Sequence, residues 1–178
     1  MKILVTGSAG HLGEALLQSL AAEPTQAYEL IGLDVVESPY TTVVGSVADA
    51  ALVAECMQGV STVFHTATLH KPHVGTHSKS QFVETNIQGT LTLLEAAVAA
   101  KVEQFIFTST TSTFGNALRP PLTSPAAWIT EDVVPVPKNI YGITKLAAEE
   151  LCALFHRQFG LPCLVLRTSR FFPEDDDD

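Results

Sequence analysis

Charge of either sign is scarce in this chain. Only 16% of its 178 residues are Asp, Glu, Lys or Arg, against about 25% in an ordinary soluble domain. A nucleic-acid surface is built from a basic stripe, and a chain with 10 Lys and Arg and a formal net charge of −9 is a poor source of one. Nucleic acid is not an expected partner. Five of the negative charges crowd into Glu174 to Asp178, which leaves −4 for the rest. Sulfur is equally thin: Cys56, Cys152 and Cys163 form no CxxC pair and no even framework, so reduced thiols are expected rather than disulfides. No apolar run approaches the ~18 residues of a membrane span. Met1-Lys2 runs straight into an apolar segment with no cleavable signal. These absences are those expected of a soluble, cytoplasmic protein without a membrane partner. What the chain does have is 46% hydrophobic residues, the surplus that a parallel sheet buried on both faces requires, and a length suited to a single domain.

Apolar strand-like runs near 2–6, 29–33, 42–45, 62–66, 104–109 and 163–168 alternate with helical patterns near 12–22, 49–58, 79–100 and 139–159. Such alternation predicts right-handed crossovers and an α/β doubly wound parallel sheet of six strands, a Rossmann domain with helices on both faces. In the third helix Ser78-Lys-Ser-Gln81 fits a capping box. Val83, Ile87, Leu91, Leu94 and Val98 there step along one face, which is expected to be the buried one. The spacer from Gly115 to Lys138 carries five prolines and the only tryptophan, Trp128, and reads as a long irregular loop. Trp128 either plugs that loop onto the core or stacks on a ligand. Strand order 3-2-1-4-5-6 would place the ligand crevice beyond the carboxyl ends of the first and fourth strands. Gly7–Gly13, Asp34, Thr66–His77, Thr108–Gly115 and the residues after Arg167 are expected there.

The first of those segments is the most specific. Ile3-Leu4-Val5 runs into Gly7, Gly10 and Gly13 at i, i+3 and i+6, and an apolar-periodic helix comes next. In that pattern the first glycine makes the tight turn, the second lets backbone approach a pyrophosphate, and the third packs the helix against the strand. The helix N-terminus then offers amides to the anion. The pattern also asks for an acid about 20 residues on, and Asp34 comes directly after Leu30-Ile-Gly-Leu33. Dinucleotide binding is therefore expected, with Asp34 on the adenosine ribose. No Arg or Lys lies between 35 and 45 to accommodate a 2′-phosphate, so NAD is favoured over NADP.

Tyr141 and Lys145 stand at i and i+4 of the last helical pattern, so phenol and ammonium share a face. An ammonium ~4 Å from the phenol at an effective dielectric of ~20 contributes roughly 4 kcal/mol, enough to bring a pKa of ~10 down to near 7. A surface helix that happens to carry both residues is the alternative. Phe105-Ile-Phe107 leads into six consecutive hydroxyl residues, Thr108 to Thr113, where a strand leaves the sheet; turn chemistry alone could account for them. His70, His73 and His77 sit in a loop with no carboxylate between them, a poor metal set, and no metal is expected. Lining of a substrate pocket or a solvated loop are the readings left for them.

Taken together, the glycine turn, Asp34, the hydroxyl run and Tyr141/Lys145 resemble the extended short-chain dehydrogenase/reductase family, which includes the NAD-dependent epimerases and dehydratases. The resemblance covers essentially the whole chain. It implies Thr110, Tyr141 and Lys145 as the catalytic set: Tyr141 as general acid/base, Thr110 hydrogen-bonding the reacting oxygen, Lys145 holding the nicotinamide ribose. It implies NAD contacts from Gly7, Ala9, Gly10, His11, Leu12, Gly13, Asp34, Ser46, Val47, Thr66, Ala67, Thr108, Tyr141 and Lys145. Phe64-His65-Thr66-Ala67 matches the family's loop beside the adenosine ribose, and Asn86 with Gly89-Thr90 matches its next helix, in mainly structural roles. Thr111, Arg170 and His70 are the expected substrate contacts.

The departures from the family matter as well. Thr111-Ser112 stand where dehydratases usually carry Asp-Glu, which disfavours dehydration, and Gly45-Ser46-Val47 replaces the usual Gly-Asp-aliphatic adenine contact. Arg167-Thr-Ser-Arg170 lacks the Asn common in nucleotide-sugar enzymes and suggests a carboxylate or phosphate ligand for Arg170. Family members run well beyond 178 residues. The chain therefore reads as one NAD-binding domain, 1–178, with 170–178 the start of a truncated substrate-binding portion. A homodimer is implied through the helices near 79–100 and 139–159, with Leu93, Ala96, Ala100, Leu146 and Leu154 as outward apolar positions. Two functions remain open. One is NAD-linked oxidoreduction or epimerisation at a hydroxyl or carbonyl carbon of a small molecule; the other is a dinucleotide-binding module with little turnover.

Overall fold

A computed structural model describes residues 1–169 apart from 26, 122 and 131. Six parallel strands form one sheet: β1 (Lys2–Thr6), β2 (Glu29–Asp34), β3 (Val43–Val44), β4 (Thr62–His65), β5 (Gln104–Thr110) and β6 (Cys163–Thr168). Their order is β3-β2-β1-β4-β5-β6, the order read from the sequence. Consecutive β1 residues point to opposite faces and need two cores. Leu4 joins Val63, Phe105 and Phe107 beneath α2 (Ala50–Cys56), α4 (Gly89–Ala99) and α5 (Ile140–Phe159). Ile3 and Val5 pack with Leu17 of α1 (His11–Ala21) on the other face. Leu164 and Leu166 of β6 are exposed, because no described helix lies over that end of the sheet on their side.

Element ends differ from the sequence reading by one or two residues. Asp49 caps α2 from outside, accepting from the amides of Ala51 and Leu52, so the helix begins after it. The expected 79–100 helix is real but interrupted: α3 (Lys79–Val83), opened by the Ser78/Gln81 capping box, passes through a π-helical turn, Glu84–Gln88, into α4. That turn splits the predicted stripe: Leu94 is buried and Leu91 and Val98 pack against the core as expected, but Val83, before the turn, does not. Phe82, Asn86, Thr90, Leu93, Leu94 and Ala97 face the core, whereas Val83 is 44% exposed. A π turn takes up an extra residue and so rotates the rest of the helix about its axis. Two of the inward positions are polar and so escape an apolar count.

Leu93 is correspondingly not an outward position; it is fully buried. Ala96, Ala100, Leu146 and Leu154 are half-buried. The proline-rich spacer is pinned at its base: Gly115 bridges Val136, whose carbonyl accepts from the Asn116 amide and whose amide donates to the Phe114 carbonyl. Trp128 is 87% exposed, so it does not plug the loop onto the core.

Candidate active site

The carboxyl ends of β1, β4 and β5 bring the predicted segments to one edge of the sheet. At β1 the chain turns through Gly7, whose φ of +77° suits glycine. A Cβ there would lie 2.7 Å from the Ala67 amide nitrogen and 2.8 Å from Thr66 Oγ1. A Cβ on Gly13 would meet the Gly7 carbonyl oxygen at 2.1 Å. Both glycines are thus required by the close approach of strand, helix and the β4 loop. Gly10 is the N-cap of α1 and brings no capping side chain, so an anion can take the place a capping oxygen would hold. His11 and Leu12 open that helix.

Asp34 ends β2 beside this turn. Its Oδ2 accepts from the Ala9 amide at 3.0 Å and its Oδ1 from the Val36 amide at 3.0 Å. The carboxylate therefore fixes the glycine turn while retaining lone pairs for further donors. Thr66 donates its hydroxyl to the Thr6 carbonyl at 2.7 Å and Ala67 its amide to Thr6 Oγ1 at 3.3 Å, which seats both against the end of β1. Ser46 is exposed and accepts from the Ala48 amide; the Val47 side chain belongs to the core. The residues present fit a dinucleotide: two positions with no room for a Cβ, a helix N-terminus without a capping side chain and a carboxylate beside the glycine turn.

Thr110 is the last residue of β5, with Thr108 two before it and Thr111 opening a short 3₁₀ turn, Thr111–Thr113. Asn139 caps α5 from outside, its side chain accepting from the Gly142 amide. Gly142 lets its first turn press on the hydroxyl run: a Cβ there would stand 2.8 Å from the Ser112 carbonyl oxygen. This packing buries Tyr141, 9% exposed, in the neighbourhood of Thr110, whose side chain perturbs the phenol. Lys145, one turn on and 2% exposed, lies with Nζ 4.0 Å above the centre of the Phe107 ring.

Electrostatics here differ from the sequence expectation. Burial raises the Tyr141 pKa above its ordinary value, partly offset by the Thr110 hydrogen bond, and Lys145 is not among the groups that shift it. Burial instead brings Lys145 down to about 7, against opposing effects from Cys152 and Glu149. Spacing along the helix speaks only to attraction between an ammonium and a phenolate. In the structure both groups are buried, and loss of hydration dominates.

Supporting residues complete the site: His65, Thr90 and Asn86, read from the sequence as mainly structural, and Glu149, which the sequence reading missed. His65, fully buried, has Nδ1 2.8 Å from Thr6 Oγ1 and Nε2 2.9 Å from Thr90 Oγ1. Thr90 donates to the Asn86 carbonyl, so it accepts from His65 Nε2–H, and Thr6 donates to Nδ1. Burial, then the Lys145 charge, push the His65 pKa well below the usual imidazole range. Asn86 binds the Leu69 backbone at 2.8 and 2.9 Å and donates to Thr144 Oγ1 at 3.0 Å. Glu149 accepts a hydrogen bond from Ser109 and a two-pronged one from Arg167, 3.1 Å from Nε and 2.6 Å from Nη2.

His70 is exposed, outside this buried constellation, and its ring stacks edge-on with His73 at 4.5 Å; His73 meets His77 at 4.9 Å. Among the described residues no group of three His, Cys, Asp or Glu has the arrangement of a metal site. Arg170 lies outside the described residues.

Comparison with known proteins agrees with this geometry. The family model for the NAD dependent epimerase/dehydratase family matches residues 3–177. An L-arabinose 1-dehydrogenase (NAD(P)(+)) of Haloferax volcanii is 30% identical over 98% of this chain and 69% of its own. A UDP-glucuronic acid 4-epimerase from Bacillus cereus, solved in complex with NAD, superposes with a TM-score of 0.80 at 29% identity, covering 95% of this chain and 56% of that one. A dTDP-glucose 4,6-dehydratase from Streptomyces venezuelae, solved with NAD, gives 0.79 at 30% identity over 94% and 55%. The chain thus spans little more than half the length of several proteins it matches. With a six-stranded Rossmann sheet, the glycine turn and a family match over nearly every residue, this chain belongs to the NAD-dependent epimerase/dehydratase family of extended short-chain dehydrogenases/reductases.

Proposed function

We propose that the chain performs NAD-linked oxidoreduction or epimerisation at a hydroxyl or carbonyl carbon, with Thr110, Tyr141 and Lys145 as its working set. The observation that carries this is the packing of the first turn of α5 on the hydroxyl run, with Gly142 against the Ser112 carbonyl, which buries Tyr141, Lys145 and Thr110 together at the sheet edge where the glycine turn lies. Gly7, Gly10 and Gly13 with Ala9, His11 and Leu12 cradle the pyrophosphate, Asp34 accepts from the adenosine ribose, and Ser46, Val47, Thr66, Ala67 and Thr108 frame the rest of the dinucleotide. Bound NAD supplies the hydride acceptor. Thr110 orients the reacting oxygen, and Tyr141 takes or returns its proton, a contribution typically worth ~10²–10⁴ in rate. Lys145 holds the second ribose.

The substrate is a small hydroxyl or carbonyl compound of the sugar type handled by the relatives. Thr111, His70 and Arg170 are the contacts we assign to it. The same reading places the protein in the cytoplasm, in keeping with three free thiols, as a homodimer paired through α3/α4 and α5. Among the described residues no helix is long and apolar enough to cross a membrane. A dinucleotide-binding module with little turnover is the second reading, and the glycine turn with Asp34 beside it would serve that reading equally well.

Absorbance of NADH during a screen of sugars, alcohols and ketones tests the first reading. Turnover is expected to fall at least ~10²-fold in Tyr141→Phe while NAD affinity stays within about twofold. Unchanged turnover removes Tyr141 from the chemistry, and no turnover with tight NAD binding favours the module.

A further inference from the structure

Lys145 is the group whose ionisation this fold makes most precarious: a fully buried ammonium lying on an aromatic ring. Burial brings its pKa down to about 7 even with Cys152 and Glu149 opposing the fall. Glu149 lies one turn further along α5, on the same face. It is itself buried, and its carboxylate is gripped by Ser109 of β5 and by the Arg167 guanidinium of β6. Arg167 is braced in turn, its Cζ 4.9 Å from the centre of the Phe114 ring.

We propose that Glu149 is a positioning residue that keeps Lys145 charged and directed at the cofactor site, with Arg167 and Ser109 fixing the carboxylate for that purpose. This rests on the reading of Lys145 as the group that holds the ribose.

The other groups facing Lys145 do not supply the negative charge. From β4 comes His65, held neutral by burial and by the lysine. From α5 itself come Tyr141, whose phenol is raised by burial, and Cys152, whose thiol is pushed far up by its hydrogen bond with Cys163 of β6 and by burial. Both are uncharged at neutral pH. Arg167 faces Lys145 only through Glu149 and has the wrong sign. Among the described residues, Glu149 is the anion left to stabilise the ammonium. Because Ser109 precedes Thr110, the same carboxylate also ties the strand end bearing Thr110 to the helix bearing Tyr141.

A purely structural clamp and a charge-setting residue make different predictions. If Glu149 only clamps, removing either partner loosens the same contact and acts on Lys145 in one direction. If it sets charge, the two removals act oppositely.

The test is NMR titration of the lysine side-chain nitrogens in the 178-residue chain without NAD, with Lys145→Arg identifying the resonance. Glu149→Gln keeps the shape and is expected to lower the Lys145 midpoint by about one pH unit or more. Arg167→Gln, which leaves the carboxylate unbalanced, is expected to raise it. Glu149→Asp is expected to recover part of the loss. A midpoint that stays put in either variant, or falls in both, overturns the proposal; should one variant fail to fold, the sign in the other decides. NAD affinity by calorimetry on the same samples separates the two readings. A wild-type chain that binds no NAD sinks the cofactor assignment and leaves the Lys145 shifts readable, whereas NAD binding with an unmoved Lys145 sinks this one.

Discussion

Lys145 shows what a buried ammonium costs the fold that carries it. Its folded pKa of about 7 lies below the ordinary lysine value of 10.5. Between those two pH values the unfolded chain holds a proton that the folded chain lacks, so stability rises with pH across that window and is at its lowest below about 7. Lys145→Met, close in volume and uncharged, is expected to stabilise the NAD-free chain by on the order of 1 kcal/mol at pH 6, and by less at pH 9.5. Urea midpoints at both pH values check the size and the sign. Asp34 carries a second residue-level prediction. Asp34→Ala removes the anion that repels a 2′-phosphate, so calorimetry is expected to show a clear NAD preference in the wild type and its loss in the variant. NADP binding as well as NAD in the wild type would refute the assignment. These residues were legible because each signal is local: a glycine triplet after a strand, an acid about 20 residues on, a Tyr and Lys one turn apart. Glu149 was not, since its partners Ser109 and Arg167 lie 40 and 18 residues away in sequence, and the hydrogen bonds of His65, named in the sequence only as structural, span 25 and 59 residues; only the fold introduces these partners.

The α3–α4 helix illustrates where periodicity stops informing. Its capping box, length and existence are readable in the sequence, yet its buried face is readable only in part, because the π turn shifts the register and sets polar Asn86 inward. Asn86 is inward because four partners satisfy it: the Leu69 amide and carbonyl, the Thr68 hydroxyl and Thr144. That one side chain joins the loop after β4 to α5 three residues beyond Tyr141. Asn86→Ala would strand several of these groups, and a loss of about 2–3 kcal/mol is expected from urea unfolding. A loss under 0.5 kcal/mol would mean that water replaces the side chain freely.

At the scale of the molecule the strand order was the most legible property of all, since right-handed crossovers leave a chain of alternating strands and helices few other arrangements. Outward apolar faces were the least legible. Val83 at 44% and Ile143 at 50% exposure now mark the helices assigned to the dimer, in place of the buried Leu93. Light scattering is expected to give twice the chain mass at micromolar concentration and the single mass in an Ile143→Glu, Val83→Glu double variant; a monomeric wild type would remove the assembly. The bridge from Gly115 to Val136 has its own bearing on how such a scaffold diversifies. Because the two ends of the proline-rich excursion are fastened to each other, the residues between them can be exchanged as a cassette. Doubling its length would cost only about 0.6 kcal/mol of closure entropy, and Thr110 and Tyr141, both outside the clasp, would keep their mutual distance. Replacements grafted between 116 and 135 are thus expected to leave the packing of Tyr141 near Thr110 unchanged.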